Sequence, residues 1–256
     1  MKDWVTKSGY KVIQILSGRS NVFLLTNAKK NILVDTSVSR LWAKLQRQLD
    51  RLNIKTIDYL ILTHAHIDHA ANANRIKAKY KSPVIIHKND AIFLSKGDTI
   101  IPKGTTFITK PMVNILSKFV SPSLLKYEPC KPDLIVNSDY ELKEIGFNAY
   151  LTHTPGHTNG SLSLIVDDEI AIVGDTMFGV FKWSVFPPYA EDKDTMIKSW
   201  GKLLETNCSK FLPSHGTANN RLLVKNDYNK RIKKITAYNT RYRAFKGPSN
   251  RNNNLN

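Results

Sequence analysis

Four side chains of metal-binding type fall within six residues in the segment Thr63-His64-Ala65-His66-Ile67-Asp68-His69. Imidazole and carboxylate groups bind zinc and similar cations, and two-residue steps between histidines let one loop contact an ion from several directions. The chain has 7 histidines, and three of them lie in this segment. Such clustering is unexpected for ordinary polar loop residues, so the segment predicts a metal site.

The segment lies between a predicted strand and a predicted helix. The apolar run of residues 57–62 is typical of a buried strand, and residues 70–73 are typical of the start of a helix. An open α/β sheet places its chemistry at turns from a strand to a helix. This context favours a metal site over a surface loop.

Three further candidate ligands follow apolar, strand-like runs later in the chain. They are His157 in Thr154-Pro155-Gly156-His157-Thr158, Asp175 in Val173-Gly174-Asp175-Thr176, and His215 in Pro213-Ser214-His215-Gly216. Ligands delivered from several strand ends hold a metal in a fixed geometry. His87 ends a strand-like run and His153 lies two residues from Pro155, so both are predicted to be structural.

These motifs resemble those of the metallo-β-lactamase-fold superfamily. His-x-His-x-Asp-His at residues 64–69 is followed by Pro-Gly-His-Thr, Gly-Asp-Thr and Ser-His-Gly at the positions just quoted. Asp35, in Ile32-Leu33-Val34-Asp35-Thr36, matches the first motif of that family, an aspartate at a strand end. All five motifs occur in order from Asp35 to His215, so the resemblance covers most of the chain.

The resemblance implies two divalent metal ions, each with its own ligands. The implied ligands are His64, His66 and His157 for the first ion, and Asp68, His69 and His215 for the second. Asp175 would bridge the two ions, and Asp35 would lie behind the ligands and orient one of them by hydrogen bonding. Zinc is favoured by the histidine-rich first site, with manganese or iron as alternatives because carboxylates share the second.

The resemblance also implies a hydrolase that acts on a small-molecule substrate. A hydroxide bridging the metals would attack an ester, thioester, lactone or related carbonyl bond, and Asp68 would be the catalytic residue that passes a proton to the leaving group. The motifs around His157 and Asp175 look most like those of the glyoxalase II group of thioester hydrolases. The chain departs from that group after Phe178 and is short for its C-terminal substrate domain.

Two other activities on the same fold are alternatives. A nucleic-acid phosphodiesterase or ribonuclease would suit the net charge of +17, but no histidine follows His215, where related RNA-processing nucleases usually add one. A persulfide dioxygenase uses one iron, whereas all ligands of the second ion are present here. Asp175 argues against a true β-lactamase, and Phe178 stands where quorum-quenching lactonases have a tyrosine.

Hydrophobic periodicity by itself predicts mixed α and β structure. Strand-like runs open the chain at residues 10–16, 21–26 and 31–35. Apolar residues at three- and four-residue steps from Val38 to Leu52 predict a helix capped by Thr36 or Ser37, and a second helix is expected from about Asp194. The resemblance narrows this α/β (α+β) pattern to an αββα four-layer sandwich, the metallo-β-lactamase fold.

We predict a catalytic domain over residues 1–220, a basic C-terminal helix packed on it at residues 221–246, and a frayed tail at residues 247–256. Hydrophobic periodicity becomes irregular within residues 88–144. This segment is predicted to be either a lid or insertion over the site or a surface segment packed on the core.

Residues 221–251 carry ten Lys or Arg against one acid, so +9 of the net +17 lies there. The charge predicts either an anionic partner or, as we favour, a solvated helix face.

An aromatic segment follows Asp175 and predicts an apolar substrate pocket beside the metals, with structural packing as the alternative. Its candidate pocket residues are Phe178, Phe181, Trp183 and Phe186.

Cysteine content and the absence of long apolar runs bear on the compartment. Cys130 and Cys208 lie far apart, which fits a reducing compartment without a disulfide framework. The N-terminus has no apolar segment of the signal-peptide type, and the sequence has no run of 18 apolar residues. We expect a cytoplasmic protein without membrane association, and the sequence leaves its oligomeric state open.

Overall fold

The computed structural model describes residues 1–116, 118–119 and 121–246, and in them two β-sheets stack face to face. The predicted frayed tail, residues 247–256, lies outside the described residues.

The first sheet has seven strands in sequence order. They are β1 (Lys2–Val5), β2 (Lys11–Leu16), β3 (Val22–Thr26), β4 (Asn31–Val34), β5 (Tyr59–Ile61), β6 (Val84–His87) and β7 (Leu134–Val136). Strands β1 to β4 pair antiparallel and β4 to β7 pair parallel. Parallel neighbours need crossover connections, and these contain α1 (Trp42–Arg51), α2 (Ile67–Ala70), α3 (Ala73–Tyr80), α4 (Lys88–Lys96) and α5 (Thr109–Leu116).

The second sheet has six strands in the order β13-β12-β11-β10-β9-β8. They are β8 (Tyr140–Glu141), β9 (Ala149–His153), β10 (Leu162–Val166), β11 (Ile170–Gly174), β12 (Lys210–Pro213) and β13 (Asn219–Asn220). Among these described strands, only β11 and β12 pair parallel, and the helix α6 (Lys193–Glu205) connects them. The chain continues into α7 (Arg221–Lys246), and short 3₁₀ helices cover Ser39–Leu41, Pro122–Leu125 and Lys143–Ile145.

Three apolar clusters define four layers. Alternate residues of a strand face opposite sides of its sheet, so Leu24 of β3 packs with Leu45 of α1, while Phe23 packs with Leu164 of the second sheet. On the far side of that sheet, Trp200 of α6 closes a third cluster. The order helix, sheet, sheet, helix confirms the predicted αββα sandwich.

The predicted cap of the first helix is wrong. The helix α1 begins at Trp42 without a side-chain cap, because Ser37 has a left-handed backbone with φ of 59° and a 3₁₀ turn intervenes. The Thr36 hydroxyl instead donates to the carbonyl of His69 at 2.8 Å and accepts from the amide of Asn72 at 3.1 Å. Thr36 therefore holds the metal-type segment in place.

Residues 88–144 contribute α4, α5, β7 and β8 rather than a single loop. Apolar side chains within them, including Phe107, Ile108 and Phe119, are exposed. In the part of the chain that the structure describes, no helix combines the length and apolar character needed to cross a bilayer.

Candidate metal centre

All seven predicted ligands meet at one edge of the sandwich, where strands of both sheets end. The segment of His64, His66, Asp68 and His69 follows β5, His157 follows β9, Asp175 follows β11, and His215 follows β12. Asp35, predicted to lie behind the ligands, follows β4 at the same edge. Three groups have ligand atoms within 4.8 Å of one another: His64, His66 and His157; His64, His69 and Asp175; and Asp68, His69 and His215. The first and third groups correspond to the two ligand sets that the resemblance implies.

The first group is a set of three converging imidazoles. His66 Nδ1 lies 3.0 Å from His64 Nε2 and 3.1 Å from His157 Nε2. Tetrahedral zinc with Zn–N bonds of about 2.0–2.1 Å separates its nitrogen ligands by about 3.3 Å. The three nitrogens are therefore spaced closely enough to share one ion and leave a fourth position open.

Asp175 lies between the two groups. Its Oδ2 is 3.4 Å from His157 Nε2 in the first group and 3.2 Å from His215 Nε2 in the second. Asp68 completes the second group, with its Oδ2 3.5 Å from His215 Nε2 and its Oδ1 3.8 Å from His69 Nε2. This arrangement suits a carboxylate that bridges two cations.

Two buried ligand atoms support the fit of a cation. Among the described residues, His69 Nε2 and Asp175 Oδ1 have no hydrogen-bond partner, although they lie 3.5 Å apart. A buried polar atom without a partner costs about 1–3 kcal/mol, so native sites usually satisfy it with protein, water or an ion. The donor set of neutral imidazoles and carboxylates is the one that zinc binds.

Asp35 orients the second group from behind. It is buried, and its Oδ2 accepts a hydrogen bond from His69 Nδ1 at 2.8 Å. Its Oδ1 accepts from the amide of Thr63 at 2.8 Å, and the Ser214 hydroxyl lies 3.3 Å from Oδ2. Because a carboxylate accepts, His69 must carry its proton on Nδ1, which leaves Nε2 facing the cluster.

His157 is held in the same way by the backbone. Its Nδ1 lies 3.0 Å from the carbonyl of Tyr189, so Nε2 is left for the cluster. The preceding Gly156 has φ of 130°, and a Cβ at this position would lie 2.2 Å from the amide nitrogen of Met196. The glycine of the Pro-Gly-His motif therefore lets α6 approach the ligand loop.

Burial is the main electrostatic influence on the first group. It lowers the pKa of His64, His66 and His157 below the ordinary histidine value, and the neighbouring His69 adds to this effect. The three rings are therefore neutral, which is the form of imidazole that binds a cation.

In the second group, neighbouring charges influence the pKa values more than burial does. Burial disfavours the charged forms of His69 and His215, but nearby carboxylates outweigh burial and raise the pKa of both rings. Asp175 contributes most to both rings, followed by Asp35 and then Asp68 at His69 and by Asp68 at His215. Burial likewise disfavours charge on Asp175, yet the adjacent histidines outweigh it and hold the pKa of Asp175 well below its ordinary value. Uptake of a cation at this group would release protons from the rings.

Asp90 is a site residue that sequence reasoning missed. It is buried on α4, and its Oδ2 accepts from the amide of Ala65 at 2.9 Å and from the Thr158 hydroxyl at 3.0 Å. It thereby joins the loop of His64 and His66 to the loop of His157. No spacing in the sequence marks this acid, because the loops that it joins lie far apart along the chain.

A cavity of about 440 Å³ opens beside the ligands. Of the predicted pocket residues, Phe178 lines it, with its ring centroid 4.6 Å from that of His215. Phe181 and Trp183 pair with each other at 5.3 Å and are exposed. Phe186 packs in the third apolar cluster, next to Trp200. The structure thus brings only the first of the four aromatics to the cavity wall.

The two histidines predicted to be structural lie outside the ligand groups. The rings of His87 and His153 stack with centroids 3.9 Å apart and planes at 11°. His87 Nδ1 accepts from the amide of Asn89 at 3.2 Å and so caps α4.

The fold and the site together define a four-layer α/β protein with a histidine- and aspartate-rich metal centre at the strand ends. The chain belongs to the metallo-β-lactamase superfamily, whose family model matches residues 17–215.

Individual relatives agree with this assignment. The chain is 31% identical over 206 residues to a probable metallo-hydrolase of Methanocaldococcus jannaschii, covering 79% of this chain and 90% of the relative. It is 27% identical over 194 residues to a hydroxyacylglutathione hydrolase of Haemophilus influenzae, covering 74% of this chain and 81% of the relative.

Solved structures share the architecture. An archaeal metallo-β-lactamase superfamily protein from Sulfolobus tokodaii has a TM-score of 0.61 at 20% identity, over 88% of this chain and 86% of the other. A subclass B3 metallo-β-lactamase of Bradyrhizobium japonicum has a TM-score of 0.59 at 18% identity, over 90% of this chain and 92% of the other. At such identities the similarity shows the fold alone.

Proposed function

We propose that this metal-dependent hydrolase uses two divalent ions, zinc in preference to manganese or iron, to cleave an ester, thioester, lactone or related carbonyl bond of a small molecule. The observation that carries the proposal is the position of Asp175 Oδ2, 3.4 Å from His157 Nε2 and 3.2 Å from His215 Nε2. A carboxylate between two ligand groups suits a dinuclear centre better than a single ion.

The side chains of the site would have three roles: metal binding, orientation of a ligand and proton transfer. His64, His66 and His157 would hold one ion, and Asp68, His69 and His215 the other, with Asp175 shared. When bound, the ions would supply a hydroxide nucleophile at neutral pH and polarise the substrate carbonyl. Asp35 keeps His69 Nε2 aimed at the cluster.

Asp68 would serve in proton transfer as well as in metal binding. Its side chain is 16% exposed and lines the cavity, so it would take up the proton that the attacking nucleophile loses and pass that proton to a leaving group there. The thioester choice within this substrate class is supported by the hydroxyacylglutathione hydrolase relative.

Metal analysis tests the dinuclear centre directly. Protein purified from zinc-supplemented medium should contain close to two equivalents of zinc per chain by elemental analysis. A stoichiometry of one that added zinc does not change would overturn the dinuclear proposal.

A substrate panel with one variant tests the chemistry. The zinc-loaded enzyme should hydrolyse chromogenic thioester, ester or lactone substrates faster than a chromogenic phosphodiester. Asp68→Asn should lose about 10²-fold or more in turnover while zinc remains at the first group. Near wild-type turnover in that variant would contradict the role of Asp68, and a preference for the phosphodiester would overturn the substrate class.

A further inference from the structure

One basic side chain, Arg19, lines the cavity beside the ligands. Besides the ligand residues, its lining includes Arg19, Ile67, Leu125 and Phe178. Arg19 is the only lysine or arginine among the lining residues that the structure describes. Most of the remaining wall outside the ligands is apolar, so this guanidinium is the one permanent positive charge among the described lining residues.

The short loop that carries Arg19 is anchored on both sides of the metal centre. The buried hydroxyl of Ser20 donates to the carbonyl of Asp68, and the Asn21 side chain donates to the carbonyls of Pro213 at 2.8 Å and Gly216 at 3.0 Å. Buried anchors directly after Arg19 fix where its side chain leaves the backbone. The guanidinium is therefore positioned beside the cluster and not on a free surface loop.

The contact between Arg19 and Asp68 leaves the guanidinium available. Arg19 Nε lies 3.9 Å from Asp68 Oδ2, and the arginine side chain is 59% exposed. A solvated pair at this separation is weak. Once Asp68 binds a cation its charge is offset, so the arginine's donors can serve another anion in the cavity.

We propose that Arg19 is a specificity-determining residue that binds an anionic group, a carboxylate in the first instance, on the substrate. The inference rests on the proposed hydrolase function and narrows its substrate class. Because Arg19 lies beside Asp68 at the ligand cluster, the carboxylate would lie within a few bonds of the scissile carbonyl. The apolar wall at Ile67, Leu125 and Phe178 would contact the carbon skeleton between or beside these groups.

Two esters of matched size test the proposal. The probes are the 4-nitrophenyl monoester of glutaric acid and 4-nitrophenyl 5-methylhexanoate, in which an isopropyl group replaces the carboxylate. The zinc-loaded enzyme should prefer the glutarate ester in kcat/KM after subtraction of the uncatalysed rate. In Arg19→Gln the ratio of the two kcat/KM values should fall at least tenfold, mainly through KM for the anionic ester, and Arg19→Glu should reverse the preference.

A control variant that removes the same charge elsewhere accompanies this test, and two outcomes would overturn the proposal. Arg40→Gln removes the same charge at an exposed position away from the cavity and should leave both rates unchanged. An equal fall for both esters in Arg19→Gln would mean that Arg19 acts on Asp68 and not on the substrate, which would overturn the proposal. An unaltered ratio would overturn it as well.

A binding measurement separates this inference from the proposed function. Free glutarate should raise the thermal midpoint of the wild-type protein and raise it much less in Arg19→Gln. If no thioester, ester or lactone of the substrate panel is hydrolysed, the proposed function fails, and the glutarate shift still decides the role of Arg19. The same shift in both proteins would overturn that role.

Discussion

At the scale of single residues, one buried carboxylate organises the second ligand group. Asp35 contacts the turn after β5 through Thr63 and His69, and the turn after β12 through Ser214. Its backbone is left-handed, with φ of 61°, a conformation that aspartate tolerates better than most side chains. The residue at this strand end therefore serves both the backbone turn and the orientation of a ligand.

Asp35→Asn should weaken the second metal. An asparagine can donate its amide to His69 Nδ1, which would move the ring proton to Nε2, the atom that faces the cluster. Loss of such an orienting contact typically costs about 10–100-fold in metal affinity. Competition with a chelator should show this loss for one of two zinc equivalents.

The matched control for Asp35 is Asp50→Asn on the exposed face of α1. It makes the same chemical change away from the ligands, so both zinc affinities should stay at wild-type values. Equal zinc affinity in Asp35→Asn and in the wild type would show that Asp35 does not orient His69.

At the scale of secondary structure elements, α4 ties together two ligand loops that belong to different sheets. Its Asp90 accepts hydrogen bonds from Ala65, in the loop after β5, and from Thr158, in the loop after β9. A Cβ on Gly160 would lie 2.2 Å from Asp90 Oδ1, so the glycine is required for this close approach.

Asp90→Ala should lower both stability and zinc retention. The change removes the acceptor of the buried Ala65 amide, which costs about 1–3 kcal/mol, and breaks the link to the Thr158 hydroxyl. Urea unfolding should show that loss, and dialysis against a chelator should strip zinc faster than from the wild type. Glu128→Ala, at an exposed acid, should change neither measurement. Wild-type zinc retention in Asp90→Ala would contradict the linking role.

We expect the stacked rings at the ends of β6 and β9 to make stability depend on pH. Burial, helped by the adjacent His153, lowers the pKa of His87 to about 4. The pKa of His87 in the folded protein lies below its value of about 6.5 in the unfolded chain. The stability that neutral His87 contributes is therefore fully present above pH 6.5 and is lost as the pH falls towards 4.

His87→Phe should therefore remove part of the acid sensitivity. We expect the wild type to lose about 1–3 kcal/mol more than the variant between pH 7 and pH 4. Urea unfolding of both proteins at the two pH values measures this difference. His153→Phe keeps the buried His87 and should retain most of the wild-type dependence. Parallel pH profiles for wild type and His87→Phe would show that His87 is not the titrating group.

At the scale of the whole molecule, the basic C-terminal helix has a packed face and a solvated face. Val224 is buried, and Leu223, Tyr228, Ile232 and Ile235 pack against the third apolar cluster with α6. Arg231 is structural, since its Nε lies 2.7 Å from Asp227 Oδ1 and its guanidinium lies 3.7 Å from the centroid of Phe186. Among residues 221–237, whose side chains the structure describes, the exposed charges are Lys225, Lys230, Lys233 and Lys234.

Replacing those four lysines with glutamine should leave hydrolysis of small esters nearly unchanged. The lysines are solvated and lie outside the lining of the ligand cavity. We also expect no salt-sensitive RNA or DNA binding by the wild type, because phosphate contacts would make log K fall steeply with log salt. Filter binding at several salt concentrations measures this. Metal-dependent cleavage of a structured RNA, abolished in the four-site variant, would instead favour the phosphodiesterase alternative.

Much of the metal centre was predictable from the sequence because its ligands occur in short motifs at strand ends. His64, His66, Asp68 and His69 are close in sequence, so local spacing alone predicts that they can share ions. The apolar runs before His157, Asp175 and His215 predict strand ends, and the family motifs predict that these ends meet. The αββα layers follow from the same resemblance, whereas periodicity predicts only mixed α and β structure.

The remaining features depend on contacts between distant parts of the chain. Asp90 and Arg19 have no local signature, because each acts across loops that only the stacking of the sheets brings together. Phe181 and Trp183 follow Phe178 closely in sequence but are exposed, and Phe186 joins the packing against Trp200. Sequence spacing determines which side chains share a turn, but the register and packing of the sheets determine which side chains face one another across the centre.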